Sequence, residues 1–401
     1  MINSDSHSLD LPAPDAIASA HSQRLAGLIH SEIAAAGGQI NFARYMELAL
    51  YAPGLGYYSA GAQKFGEQGD FITAPELSPL FARCLARQCQ EILCELQQGD
   101  ILEAGAGSGI LAADLLSELQ RLACLPEHYF ILELSAELRV RQEKLLREKV
   151  PELFDRIVWL ERLPPHGFRG VVIANELLDA MPVHRFQIED QGARELYVAS
   201  EKNKFVWRMD SLSEPALRQR IQTIASMLQE QDELLQAGYQ SEINLAAEAW
   251  LASIAALLET GVVLIIDYGF PQREYYHPDR SMGTLMCHYR HRAHGDPLIL
   301  PGLQDITSHV DFTALAEAGC GAGLDLSGYT TQGHFLLGCG LTEIAENIAA
   351  PDMRQHLETA QQIKKLTLPS EMGELFKVIA FTRGVETSLC GFSLHDARGR
   401  L

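Results

Sequence analysis

Three glycines at alternate positions, Gly105, Gly107 and Gly109, stand between an apolar run that ends in an acid (Ile101, Leu102, Glu103) and a stretch with helical apolar spacing (Ala112, Leu115, Leu116, Leu119). Glycine lets the backbone turn tightly and lets a ligand lie directly against main-chain N–H groups. A helix start adds further donors and a partial positive end. A second apolar run, residues 129–132, ends in Glu133 and Leu134 and leads into a helical stretch rich in Arg, Lys, Glu and Leu. In a doubly wound sheet ligands bind at the carboxyl ends of the strands, and an acid ending the second strand can hold both ribose hydroxyls. The two features share one βαβ unit of ordinary length, and together they predict a nucleotide-type cofactor. The dinucleotide fingerprint is G-x-G-x-x-G. Its third glycine would fall at Ile110, which argues against an NAD-dependent dehydrogenase.

These residues need an α/β scaffold to position them. Residues 156–160 read as a third strand, and residues 171–174 as a fourth running into a polar tip at Asn175 and Glu176. Residues 261–269 are the clearest buried strand and contain another acid, Asp267. Short alternating segments between 183 and 209 predict antiparallel hairpins, and residues 376–381 a last strand. The expected division is a loose tail at 1–18 and an N-terminal helical extension with a lid loop at 19–98. A Rossmann-like core follows at 99–182, then an inserted α+β subdomain at 183–243 and the rest of the core, with the C-terminal strands, at 244–401.

The chain has 401 residues, 47% of them hydrophobic and 21% charged, the balance of an ordinary globular protein. Lys and Arg number 32 against 52 Asp and Glu, a net charge of −20. That sign disfavours nucleic acid and anionic membrane as partners and suits a basic protein or peptide. Eight cysteines without C-x-x-C or zinc spacing read as reduced thiols of a cytoplasmic protein. No apolar run reaches bilayer length, so no membrane insertion is expected. His288, His291 and His294 recur every third residue but lack companion carboxylates, and no metal is expected.

The turn reads E-x-G-x-G-x-G, the form seen in class I methyltransferases that bind S-adenosyl-L-methionine. Further motifs follow in order: G-D-F-I-T-A-P-E at 69–76, N-E-L-L-D-A-M-P-V at 175–183, D-Y-G at 267–269, P-G-L-Q-D-I-T-S-H-V-D-F at 301–312 and M-G-E-L-F-K at 372–377. Together they resemble the MidA-type S-adenosyl-L-methionine-dependent methyltransferases over about residues 20–385. Ala106 stands where that family often has proline, a change that does not obstruct a ligand. The resemblance implies a class I methyltransferase fold, a Rossmann-like doubly wound sheet, with S-adenosyl-L-methionine as cofactor. Mitochondrial members act in respiratory complex I assembly by dimethylating an arginine, so a protein arginine is the implied acceptor. The polar, acidic start, residues 1–14, is unlike a transit peptide and implies a bacterial relative.

On that resemblance Glu103 orients the turn or the methionine amino group, while Gly105, Ala106, Gly107 and Gly109 admit the cofactor. Glu133, with Leu134, holds the ribose, and Asn175 lies where cofactor and acceptor meet. A guanidinium is cationic at any working pH and calls for carboxylates. Glu176 is the first choice, with Asp70, Glu76 and Asp267 next, and Asp70 and Thr73 lie on the expected lid loop. Two other readings stay open at this point, a small-molecule methyltransferase and a non-catalytic complex I assembly factor. A homodimer is also left open.

Overall fold

Strands covered on both faces read as unbroken apolar runs, and the runs at 168–175 and 258–270 form the centre of one sheet. The computed structural model describes residues 11–59, 73–164, 166–230, 233–347 and 353–401. The chain forms two compact units: Met1–Phe71, Ala180–Leu245 and Tyr276–Ser308 make the first, and Ile72–Asp179, Ala246–Tyr275 and His309–Leu401 the second.

The second unit carries the large sheet, with strands in the order Ile157–Leu160, Tyr129–Leu132, Asp100–Ala104, Phe168–Asn175, Leu258–Phe270, Phe376–Arg383 and Asp325–Thr331. The first five are mutually parallel, and Phe376–Arg383 runs antiparallel to both its neighbours. The short strand Val310–Asp311 pairs with the end of Leu258–Phe270. Numbered by chain order, the strands run 3-2-1-4-5-7-6. The connections reverse between Asp100–Ala104 and Phe168–Asn175, which is the topological switch point where such sheets bind ligands. Val171, Val172, Ile173 and Ala174 are fully buried, as are Val262, Val263, Leu264, Ile265 and Ile266. Helices Pro79–Leu96 and Ile110–Arg121 bury Leu85, Ile92, Leu115 and Leu119 in the same core as Ile101, Val171 and Leu264. Each such leucine contributes about 1.5–3 kcal/mol through removal from water.

The first unit holds antiparallel sheets. Gln39–Asn41, Gly192–Glu201, His184–Glu189 and Gln240–Ile243 pair in that order, with Lys204–Asp210 also on Gly192–Glu201. A second sheet joins Arg292–His294, Met286–Tyr289 and Asp305–Thr307. Helix Ala16–Ala35 buries Leu25, Ile29 and Ile33 at four-residue spacing, and Asp15 Oδ1 caps it by accepting from Ala18 N at 2.8 Å.

The division departs from the sequence expectation in three places. Residues 72–98, assigned to the N-terminal extension, belong with the large sheet because the apolar face of Pro79–Leu96 packs on it. Residues 276–308, assigned to the second half of the core, form the small sheet of the first unit. The first helix begins at Ala16, inside the stretch expected to be a loose tail. Strand Asp325–Thr331 and helix Met353–Thr367 were not expected from the sequence. No described helix is long and apolar enough to cross a membrane, and all eight cysteines are free.

Candidate active site

At the switch point the chain leaves Asp100–Ala104 through the glycine turn, with φ of +72° at Gly105, +53° at Gly107 and +86° at Gly109. Side chains rarely adopt this left-handed backbone. A Cβ on Gly105 would also stand 2.9 Å from Leu177 Cδ1, whereas one on Gly107 would meet nothing within 4 Å. The turn is therefore closed on one side by protein and open on the other, a cradle that a ligand can approach. Ala106 is buried behind the turn, and its carbonyl accepts from Gly109 N at 2.8 Å. Ser108 Oγ accepts from Ile110 N at 3.3 Å and donates a short hydrogen bond to Glu76.

Glu103 is fully buried, and its Oε2 accepts from Tyr129 OH at 2.7 Å. Burial pushes its carboxyl up to about 7, against the lowering effect of the tyrosine hydrogen bond. Glu133 lies one residue past Tyr129–Leu132 and is half-buried. Its Oε1 accepts from Ser135 N at 2.8 Å and its Oε2 from Gln142 Nε2 at 3.0 Å. With the Leu134 amide these donors leave lone-pair capacity on the carboxyl, the arrangement a ribose diol needs. Burial raises this carboxyl above its ordinary value. Leu134 is 79% exposed, an uncovered apolar side chain beside Glu133.

The other side of the crevice is built from Phe168–Asn175 and Leu258–Phe270. Asn175 donates from Nδ2 to Glu176 Oε1 at 3.2 Å, and its buried Oδ1 has no protein partner among the described residues. Glu176 is a non-glycine residue with φ of +50°, held by Glu176 N donating to Ile266 O at 2.9 Å. Strained backbone of this kind persists where the surroundings over-determine it and collects at functional sites. Ala74 N, at the start of helix Ala74–Leu77, also donates to the Glu176 carboxyl. Burial, followed by the nearby charge of Asp267, pushes Glu176 up to about 7.

The structure thus gathers Glu103, Gly105, Ala106, Gly107, Gly109, Glu133, Asn175, Glu176 and Asp267 at the carboxyl edge of one sheet. Thr73 and Glu76 join them through helix Ala74–Leu77, pinned by Ala74 to Glu176 and by Glu76 to Ser108. Thr73 precedes that helix without a side-chain cap. Asp70 lies outside the described residues. Asp267 differs from the acceptor-binding role expected for it. It is fully buried, with Oδ2 accepting from Leu178 N at 2.8 Å and Asp179 N at 3.3 Å and Oδ1 from Tyr268 N at 2.8 Å. Burial pushes it up to about 7 in spite of those amides. These contacts make Asp267 a brace that shapes the turn after Glu176. Tyr129, Ser108 and Gln142 carry contacts that sequence reading did not assign, since each sits inside an ordinary strand, turn or helix pattern.

The arrangement fits S-adenosyl-L-methionine. Comparison with known proteins agrees. The family of S-adenosyl-L-methionine-dependent methyltransferases matches residues 84–330, more than half of the chain. A crystal structure from Burkholderia thailandensis, bound to S-adenosyl-homocysteine, is 47% identical, with a TM-score of 0.91 over 98% of this chain and 100% of that one. The mitochondrial protein arginine methyltransferase NDUFAF7 of Mus musculus is 29% identical over 86% of this chain and 81% of its own length. The human protein of the same name is 28% identical over 86% and 80%. The doubly wound sheet, a glycine cradle flanked by strand-end acids and these relatives lead to one statement: the chain belongs to the S-adenosyl-L-methionine-dependent methyltransferases, and S-adenosyl-L-methionine is its cofactor.

Proposed function

We propose that this methyltransferase acts on the guanidinium of an arginine in a protein, and that a respiratory complex I subunit is the acceptor. The observation that carries the reading is Glu176, a half-buried carboxyl on strained backbone at the switch point, adjacent to Asn175. Support comes also from relatives at 28–29% identity named as protein arginine methyltransferases.

When bound, the cofactor supplies a sulfonium methyl group that a nitrogen lone pair can take in an in-line displacement. The chain's part is to position the acceptor and exclude water. Glu176 accepts hydrogen bonds from the guanidinium, holds it against Asn175 and biases its electrons towards one nitrogen. As the N–C bond forms and the S–C bond breaks, one N–H proton leaves. A carboxyl poised near 7 is suited to take it. Asp267 keeps the 176–179 turn in shape without touching the acceptor.

The test is direct. Purified chain is incubated with S-adenosyl-L-methionine carrying a deuterated methyl group and with complex I subunits or peptides covering their arginines, followed by mass spectrometry. The expected result is a labelled methyl on arginine that is absent with Glu176→Gln. Label on lysine, or on small molecules alone, would overturn the acceptor assignment.

A further inference from the structure

Helix Ala136–Lys149 buries few of its side chains, and one of those, Gln142, is an amide with no exposed surface. Packing alone would favour an apolar residue there, because a buried amide costs free energy unless its hydrogen bonds are made. Its oxygen and both its donor hydrogens are engaged. Trp159 Nε1 can only donate, and it lies 2.9 Å from Gln142 Oε1, which fixes the orientation of the amide. Nε2 must then face the other way, where it donates to Gly107 O at 2.9 Å and to Glu133 Oε2 at 3.0 Å. A Cβ on Gly109 would also come within 3.3 Å of Gln142 Cγ, so the turn and this side chain are in close contact.

We propose that Gln142 is a positioning residue for the cofactor, a bracket that holds the Gly107 carbonyl and the Glu133 carboxylate at a fixed separation, with Trp159 setting the bracket's orientation. The inference rests on the reading of Glu133 as the ribose ligand. The glycine turn and the ribose acid come from the ends of two different strands, and among the described residues Gln142 is the one side chain that bonds to both. Without it Glu133 keeps only the neighbouring backbone amides of Ser135 and Leu134 and can rotate away from the diol.

The experiment is calorimetric titration of the full chain with S-adenosylhomocysteine, alongside thermal unfolding of each variant without ligand. Gln142→Leu should weaken binding about tenfold, the loss of a hydrogen bond to a charged group, and raise KM for S-adenosyl-L-methionine by a similar factor with kcat unchanged. Adding Gln142→Leu to Glu133→Ala should weaken binding by less than Gln142→Leu does alone, because the bracket then has only the Gly107 carbonyl to hold. Trp159→Phe keeps the ring and removes the donor, so it should weaken binding several-fold even if Gln142→Leu fails to fold. Affinity within twofold of wild type in folded Gln142→Leu or Trp159→Phe would overturn the proposal, as would independent, multiplying penalties in the double variant. Weakening by Glu133→Ala with none from Gln142→Leu removes only the bracket. No weakening by Glu133→Ala removes the ribose reading beneath it.

Discussion

The two halves of the crevice use the same components for different ends. On the side of Asp100–Ala104 and Tyr129–Leu132, a fully buried acid, Glu103, accompanies a half-buried one, Glu133. On the side of Phe168–Asn175 and Leu258–Phe270, the buried Asp267 accompanies the half-buried Glu176. In each pair the buried acid spends its oxygens on the protein, through Tyr129 OH or through backbone amides, and the half-buried acid keeps capacity for a ligand. The difference lies in the electrostatics. Burial is the first cause of the raised carboxyl on both sides. On the glycine side it is the buried Glu103 that also feels its half-buried neighbour Glu133, whereas on the other side the half-buried Glu176 feels the buried Asp267. A ligand-side acid raised by a neighbouring acid suits a cationic acceptor, which relieves the repulsion on binding. The glycine side offers backbone donors and suits a neutral sugar and an amino-acid moiety.

The strongest break in this comparison is Asp267→Ala. Three buried amides, of Leu178, Asp179 and Tyr268, would lose their acceptor. We expect a loss of about 3 kcal/mol or more in urea unfolding. A loss below about 1 kcal/mol would mean that Asp267 is no brace and would return it to the acceptor side. Next in size is Glu176→Gln, which keeps shape and removes charge. It should lower kcat/KM for the acceptor about 100-fold, as expected when one partner of a close charge pair is neutralised. S-adenosylhomocysteine affinity should stay within about threefold. Comparable losses in both would show that Glu176 serves the cofactor, and the two halves would no longer be distinct.

Much of the glycine side could be read from the sequence. Glycines at 105, 107 and 109 and acids ending apolar runs are local patterns, and their spacing carries the topology. The contacts that stiffen the site come from afar and leave no local mark. Trp159 bonds to Gln142 across 17 residues, and Tyr129 to Glu103 across 26. The role of Asp267 is illegible for the same reason: an acid at a strand end looks alike whether it faces solvent or the amides of Leu178 and Asp179 in a turn some ninety residues earlier. Asp325–Thr331 leaves no mark in the sequence because a polar, glycine-containing edge strand is stabilised by its pairing with Phe376–Arg383 more than by its own composition. The hairpins expected between 183 and 209 are present in the first unit, but the pairing of Gln39–Asn41 with Tyr197–Ala199 leaves no local mark for a similar reason.

A pH profile sharpens the contrast between the halves. With Glu176 poised at about 7, the carboxylate that holds a guanidinium is lost below that pH. Acceptor kcat/KM should fall about tenfold per unit on the acid side, and the inflection should vanish in Glu176→Gln. A flat profile from pH 5.5 to 8 would remove the acceptor role. Stability runs the other way. Glu103, Glu176 and Asp267 are all raised in the folded chain to about 7, while an unfolded carboxyl titrates near 4. In that window the folded chain retains protons that the unfolded chain has released. Stability of the cofactor-free protein should therefore fall as pH rises from about 4 to 7, as denaturant midpoints across that range would show.

The smallest expected effect separates brace from ligand on the glycine side. Tyr129→Phe removes only the hydroxyl that donates to Glu103 Oε2. That bond favours the charged form of Glu103 and opposes the rise caused by burial, so its loss should raise the carboxyl further. Above pH 7, where Glu103 of the wild type is ionised, the variant should be less stable by about 1.5 kcal/mol, the lower end of the worth of a hydrogen bond to a charged group. At pH 5 Glu103 is protonated in both proteins and the deficit should shrink towards that of a neutral hydrogen bond. S-adenosylhomocysteine affinity should change less than twofold at either pH, because the oxygen concerned faces the protein interior. A stability deficit that does not grow with pH would mean that Glu103 never carries its charge in the folded chain. A large loss of affinity would move Glu103 from the scaffold to the ligand, leaving the glycine side with two ligand acids where the acceptor side has one.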